Sequence, residues 1–230
     1  MINYIKESHK RSQNRKEYSI FNVPVYVLNP FPNNINLNNI LDSVKQKLNK
    51  HMFSNIESIY IGDFEDLNRR NIQSMLKDDA IWISSNNVLN FITEPLVVEN
   101  IIHEIAHSLE DKYQQIIYPD GKLEKEYEGK KSRLYSMLKQ EGYKITPSLF
   151  FSDEYLKEFD HFLYNVLGYD KLAMHIVGLF TSPYSVTTLR EYFANGFLDY
   201  ISGDIEYLKN TNPILFSKIE KVQQEIKNEI

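Results

Sequence analysis

The alternation of apolar and polar residues predicts three strands in the first hundred residues. Residues 23–28 are rich in β-branched and aromatic side chains and stop at Asn29-Pro30, a dipeptide typical of turns. Residues 56–64 alternate between apolar and polar positions, and Ala80–Ser84 is a short apolar run. Between the first two strands, apolar residues at helical spacing predict an amphipathic helix that ends near residues 49–51: Ile40, Leu41, Val44 and Leu48.

The rest of the chain shows mainly helical periodicity. Pro95 is suited to the first turn of a helix, and the apolar residues after it form one stripe: Leu96, Val97, Ile101, Ile102, Ile105, Ala106 and Leu109. Further helices are predicted over residues 123–141, 153–167, 169–180, 185–202 and 204–228. This order of elements predicts an α+β fold, with a small mixed sheet in an N-terminal lobe and a mostly helical C-terminal lobe.

Composition and charge fit an ordinary globular chain and exclude several kinds of site. The 230 residues are 42% hydrophobic and 25% charged, which is enough apolar material for a core. The formal net charge of -5 argues against nucleic acid or an anionic membrane as the main partner. Cysteine is absent, which excludes disulfides, thiol catalysis and cysteine metal ligands. No apolar run has transmembrane or signal-peptide character, so we expect no stable membrane insertion and a cytoplasmic chain as written.

The strongest chemical signal is the pentapeptide His103-Glu104-Ile105-Ala106-His107, which lies within the predicted helix that follows Pro95. Residues four apart share one face of a helix, so His103 and His107 can bind the same metal ion. Glu104 can then act on a water molecule at that ion, as this motif does in zinc hydrolases. The alternative is an exposed helix face that carries the pattern by accident, and this alternative predicts no third ligand.

A catalytic zinc ion takes three protein ligands and leaves one position for water. Glu191 is a candidate for the third ligand, on a predicted helix whose apolar face includes Phe193, Phe197, Leu198 and Ile201. Periodicity alone leaves other acidic residues open. These are Glu110, Asp111, Glu154, Glu158 and Asp199.

From residue 80 onward the sequence resembles the anthrax lethal factor family of zinc metallopeptidases, which includes the Pro-Pro endopeptidases. The resemblance covers about half of the chain. It rests on residues 103–113 (HEIAHSLEDKY), 133–142 (RLYSMLKQEG) and 184–194 (YSVTTLREYFA). In that family, a Glu on an aromatic-Ala helix is the third zinc ligand, and a Tyr seven residues earlier faces the reacting carbonyl. Glu191 and Tyr184 match this pair in residue type and spacing.

Three features depart from the family pattern. Residues 143–180 are aromatic-rich and longer than the family leads us to expect, so they form an apparent insertion, predicted to add two helices beside the cleft. Asn195 stands where family members often carry a further Glu. The family also includes secreted proteins, so the resemblance implies secretion for this chain if a leader was removed.

The predicted organisation is one catalytic domain overall. Residues 1–17 form a flexible N-terminal arm, residues 18–113 an α/β lobe with the motif helix, and residues 114–230 a helical lobe that carries the third ligand. We expect a zincin-like fold with a cleft between the lobes and the motif helix on its floor. Ala80–Ser84 is expected to border this cleft, where an extended peptide can pair with free backbone groups.

Motif and resemblance together predict a monomeric zinc-dependent endopeptidase of the gluzincin type, acting on a peptide or protein substrate. His103, His107 and Glu191 would hold Zn²⁺. Glu104 would be the general base, and Tyr184 would donate a hydrogen bond to the developing oxyanion. Two alternatives remain at this point: an intracellular metallopeptidase that cuts a regulator, and an inactive zincin-like binding module.

Overall fold

The computed structural model describes residues 18–86, 92–152 and 155–229, which form one mixed five-stranded sheet and a larger set of helices. The strands are β1 (Tyr18–Ile20), β2 (Val23–Val27), β3 (Ser58–Gly62), β4 (Ser74–Lys77) and β5 (Ala80–Ser84). The helices are α1 (Leu37–Lys47), α2 (Glu65–Arg70), α3 (Glu94–Ile117), α4 (Lys122–Gln140), α5 (Pro147–Phe150), α6 (Lys157–His161), α7 (Tyr169–His175), α8 (Leu189–Ser202), α9 (Ile205–Thr211) and α10 (Pro213–Asn228). The predicted α+β class is confirmed, and the predicted arm at residues 1–17 lies outside the described residues.

The strands lie in the order β1-β2-β3-β5-β4. The three inner strands are parallel, and β1 and β4 each run antiparallel to their neighbour. β5 is therefore paired on both sides, and the prediction that Ala80–Ser84 has free backbone groups at the cleft is wrong. The chain reaches β5 from β4 through Asp78 and Asp79, whose φ angles of 52° and 54° suit a tight hairpin turn. In the described part of the chain, β4 is the edge strand on this side.

Two short strands and one short α-helix in the first hundred residues were not predicted from the sequence. β1 has three residues, and α2 has six, of which Leu67 alone is buried. β4 is half-buried on both faces over Ser74 to Leu76, so its sequence lacks the alternation that marks a strand. Each of these elements is held by its neighbours rather than by a pattern of its own.

The helix that carries the motif, α3, is 24 residues long and lies at the centre of the molecule. Its first turn is capped by Thr93, whose hydroxyl accepts a hydrogen bond from the Leu96 N–H at 3.3 Å, and Pro95 occupies that turn as predicted. α3 packs against α1, β4 and β5, and also against α8 and α10. Because it is covered from several directions, the polar residues of its middle turns are buried with the apolar ones.

Several predicted helices of the second half are shorter or broken. The helix predicted over residues 185–202 begins at Leu189, after a 3₁₀ turn at Tyr184–Val186. The one predicted over residues 204–228 is divided into α9 and α10 at Asn212, because Pro213 lacks an N–H and can only begin a new helix.

The apparent insertion at residues 143–180 contains short pieces rather than the two helices predicted. They are α5, α6, a π-helix over Phe162–Gly168, and α7. Residues 153–154, at the start of the helix predicted over 153–167, lie outside the described residues.

One contiguous cluster of buried apolar residues joins the sheet, the motif helix and the helices that follow it. Its members include Ile59 and Ile61 of β3, Ile101 and Ile105 of α3, Phe150 and Phe159 of the insertion, and Phe193 and Phe197 of α8. Both predicted lobes therefore share one core. Within the described residues, no helix combines the length and the apolar character that crossing a bilayer requires.

Candidate metal centre

His103 and His107 lie one turn apart in the middle of α3, with ring centroids separated by 4.8 Å. Both imidazoles face Glu191 of α8. The Nε2 atom of His103 is 3.0 Å from Glu191 Oε2, and that of His107 is 3.5 Å from Glu191 Oε1. One ligand atom from each residue lies within 4.8 Å of the others, which makes these three side chains a group able to hold a metal ion.

The position of Glu191 is fixed by the first turn of α8. The hydroxyl of Thr188 accepts a hydrogen bond from the Glu191 N–H at 3.1 Å and so caps the helix. Glu191 Oε2 is buried and has no hydrogen-bond partner in the described part of the chain, although His103 Nε2 lies nearby. A buried carboxylate oxygen without a donor is costly unless a cation faces it. Two imidazole nitrogens and a carboxylate are a donor set that zinc accepts, so the residues fit a metal ion.

When no metal is bound, the charged forms of Glu191 and His107 are favoured. Burial favours the neutral forms, but the two imidazoles outweigh it and lower the pKa of Glu191 to about 2. For His107, burial is likewise outweighed, here by Glu110 and Glu191, and the pKa rises to about 10. Near neutral pH the metal-free site is therefore an imidazolium–carboxylate pair.

The second ring nitrogen of His107 faces a buried carboxylate. His107 Nδ1 is 3.6 Å from Oε2 of Glu110, which is 5% exposed. The other oxygen of Glu110 accepts a short hydrogen bond from the Tyr118 hydroxyl. Burial and the charge of Glu110 raise the pKa of Tyr118, which keeps that hydroxyl protonated. Glu110 thereby places a negative charge beside Nδ1 of His107, while Nε2 of the same ring faces Glu191.

Arg190 contacts both Asp111 and His107. Its guanidinium donates two hydrogen bonds of 2.9 Å to the carboxylate of Asp111. Its Nε lies 3.3 Å from His107 Nδ1. The residue before the candidate ligand thus ties α8 to α3 beside the metal centre.

Glu104 lies on the same helix as the two histidines and is 4% exposed. Its carboxylate accepts a hydrogen bond of 2.6 Å from the hydroxyl of Ser74 in β4. Glu104 also lines the cavity in front of His103 and Glu191. It is therefore held beside the candidate ligands without belonging to the ligand group.

Tyr184 lies on the 3₁₀ turn before α8, and its ring centroid is 6.5 Å from that of His103. Burial raises the pKa of its hydroxyl, and the charges of Glu191 and Asp160 act in the same direction. Asp160 belongs to α6, so the apparent insertion approaches the site from this side. The Tyr184 hydroxyl remains a hydrogen-bond donor at neutral pH.

A cavity of about 660 Å³ opens in front of the candidate ligands. β4 forms one side of it through Ser74 and Met75, and α8 forms the other side through Asn195 and Leu198. Its lining carries both signs of charge, with Arg70 and Glu99 among the lining residues. The cavity is an open cleft rather than a closed pocket, and the three candidate ligands, His103, His107 and Glu191, are part of its lining.

The other acidic candidates within the described residues do not belong to the ligand group. Glu110 and Asp111 contact His107 and Arg190, and Glu158 is exposed. Asp199 lies outside the group, and burial raises its pKa. Glu154 lies outside the described residues. Asn195 donates to the Glu191 carbonyl and accepts from Ser182, so it stabilises α8.

Comparison of the chain with protein-family models, curated proteins and solved structures finds no match. Two residues of the site, Ser74 and Arg190, were not found from the sequence. Ser74 lies on a strand with no sequence signal, and the one hint for Arg190 was its place next to Glu191.

Proposed function

We propose that this chain is a zinc-dependent endopeptidase with a zincin-like domain, of the lethal factor-like type that its motifs resemble. The observation that carries the proposal is the meeting of His103 and His107 with a carboxylate from a distant helix, that of Glu191. A motif that arose by accident on an exposed face gives no reason for a third ligand. Here Glu191 offers a third ligand atom beside the two imidazoles, and its buried Oε2 makes no hydrogen bond among the described residues, which supports the proposal.

The side chains around the metal group support a hydrolytic mechanism. Zinc held by the three ligands would act as a Lewis acid and lower the pKa of a water molecule toward neutrality. Glu104 accepts the proton of the attacking water and passes it to the leaving nitrogen. The Tyr184 hydroxyl donates a hydrogen bond to the oxyanion as charge develops there.

An extended peptide suits the shape of the cleft. Its wall is the edge strand β4, and an unpaired strand edge binds an extended chain through backbone hydrogen bonds. Such pairing requires little from the substrate sequence. Selectivity then depends on side chains that line the cleft, among which Arg70 and Glu99 offer opposite charges.

The proposal is tested by metal analysis and a cleavage assay on one preparation. The purified protein is expected to contain one zinc ion per chain and to cut a diverse peptide library, with new termini read by mass spectrometry. Glu104→Ala should keep its zinc and lose at least ~10²-fold in rate, because the general base is gone. His103→Ala should lose both zinc and activity.

Glu206→Ala is the matched control, because Glu206 is an exposed acid on α9, outside the cleft. It should behave like the wild-type chain. Removal of zinc by a chelator should stop cleavage, and addition of zinc should restore it. Cleavage that survives in Glu104→Ala or in the chelator would disprove the proposal, and a zinc-loaded chain that cuts nothing would favour a binding module.

A further inference from the structure

Ser74 links the wall of the cleft to the side chain proposed as the general base. Its hydroxyl donates to Glu104 Oε1 at 2.6 Å, a short distance for a hydrogen bond to a carboxylate. The two residues come from different elements, β4 and α3, which pack against each other. The bond therefore depends on the position of the edge strand relative to the motif helix.

The strand geometry also places the backbone N–H and C=O groups of Ser74 at the free edge of β4. Ser74 is in register with Ile83 of β5, so Gln73 is opposite Ser84, and the Ser84 N–H donates to the Gln73 carbonyl at 2.8 Å. In an antiparallel ladder, residues that bond to the partner strand alternate with residues whose backbone groups point away from it. The N–H and C=O groups of Ser74 and Leu76 therefore point to the free edge of β4.

The side chain of Ser74 faces the helix side of the sheet. It reaches Glu104 there, whereas Met75 is opposite Trp82 and, by alternation along the strand, faces the other side. One residue thus presents its backbone to the cleft edge and its hydroxyl to the buried carboxylate. A peptide paired along β4 would be aligned by the same residue that holds Glu104.

We propose that Ser74 is a positioning residue: its hydroxyl fixes the carboxylate of Glu104, and its backbone aligns the substrate with that carboxylate. The inference rests on the proposed peptidase function. Catalytic groups must be held within about half an ångström of the reactive geometry, and a carboxylate on a rotatable side chain needs a partner to achieve this. Loss of the hydroxyl is expected to lower kcat and to leave zinc binding and KM nearly unchanged.

The test compares Ser74→Thr with Ser74→Val. These side chains have the same shape and both suit a strand, so they differ in a hydroxyl against a methyl group. On the peptide that the wild-type chain cuts best, Ser74→Val should have a kcat roughly tenfold to a hundredfold below that of Ser74→Thr. KM and zinc content should agree within about twofold, because neither the edge backbone nor a ligand has changed.

A second measurement needs neither metal nor substrate. In the metal-free chain, Ser74→Val should melt about 2–4 °C below Ser74→Thr, since a buried carboxylate oxygen has lost its donor. In the Glu104→Ala background, the two variants should melt at the same temperature, because the hydroxyl has no carboxylate to meet. Ser136→Ala removes an exposed hydroxyl that bonds within its own helix, and should change none of these values.

The outcomes distinguish a failure of the Ser74 inference from a failure of the proposed function. If the wild-type chain cuts peptides and the Thr and Val variants have equal kcat, the role of Ser74 is overturned and the peptidase proposal stands. If their melting difference persists in the Glu104→Ala background, the hydroxyl does not act through Glu104, which also overturns the inference. A wild-type chain that holds zinc and cuts nothing overturns the proposed function, and the role of Ser74 with it.

Discussion

The hydroxyl of Tyr184 is suited to donating a hydrogen bond in the candidate site. Burial raises its pKa, and the charges of Glu191 and Asp160 raise it further, so it remains a donor across the neutral range. It lines the cleft beside His103. A donor in this position stabilises negative charge that develops on a carbonyl oxygen, and contributes little to a neutral substrate.

Tyr184→Phe should therefore lower kcat by about 10²-fold and leave KM and zinc content nearly unchanged. The measurement is steady-state kinetics on a peptide found in the library assay. Tyr26→Phe is the control, because Tyr26 is 41% exposed on β2 and stacks on Tyr60, away from the cleft. An increase in KM with an unchanged kcat would assign Tyr184 to substrate binding and contradict its role at the oxyanion.

Sequence alone found the central residues of the site because they follow local rules. His103, Glu104 and His107 are placed by the period of one helix, and Glu191 and Tyr184 were selected by a family pattern. Ser74 and Arg190 act through contacts between elements that are distant in the chain, whereas Glu110 lies one turn from His107 on the same helix. Spacing carries no information on contacts between distant elements, so the roles of Ser74 and Arg190 required the structure.

Among the helices, the junction of α4, α8 and α10 depends on one carboxylate. Glu126 of α4 accepts hydrogen bonds from the N–H groups of Ile214 and Leu215 at 2.9 and 3.0 Å, and from the Tyr192 hydroxyl at 2.9 Å. α10 has no side-chain cap from its own N-cap residue, so Glu126 satisfies its first turn from another helix. This holds α8, and with it Glu191, against α4.

Glu126→Ala should destabilise the metal-free chain by about 2–4 kcal/mol, because the N–H groups of Ile214 and Leu215 lose their acceptor at a partly buried junction, whereas the Tyr192 hydroxyl keeps Asn212 Oδ1. The free energy of unfolding in urea, measured by far-UV circular dichroism, gives this value. Glu128→Ala is the matched control, since Glu128 is an exposed acid on the same helix. Equal unfolding midpoints for the two variants would show that Glu126 does not support the junction.

Long or strongly patterned elements were predicted well, and short ones were not. The motif helix, α1 and the three inner strands each carry an apolar pattern that matches one period. β4 and α2 are short and mixed in polarity, so only their neighbours define them. The order of β4 and β5 in the sheet follows from the hairpin at Asp78 and Asp79, whose left-handed conformations were not apparent from the sequence.

At the scale of the whole molecule, metal binding is coupled to the release of protons. In the metal-free chain, Glu110 and Glu191 outweigh burial and raise the pKa of His107 to about 10, so this ring is charged at pH 8. An ordinary histidine, with a pKa near 6.5, is almost entirely neutral there. A metal ion needs the neutral imidazole, so binding must expel the His107 proton. Glu191, with its pKa lowered to about 2, has no proton to lose at this pH.

Zinc binding at pH 8 should therefore release more protons from the wild-type chain than from Glu110→Gln. The variant lacks one of the three carboxylates that raise the pKa of His107, those of Glu110, Glu191 and Glu104, so more of its His107 is neutral before zinc arrives. Titration calorimetry in buffers of different ionisation enthalpy measures this release. A proton lost by a water molecule on the zinc ion contributes equally in both proteins, so it cancels in the comparison. We expect a difference of up to about one proton per ion. Equal proton release by the two proteins would show that Glu110 does not hold the charge on His107.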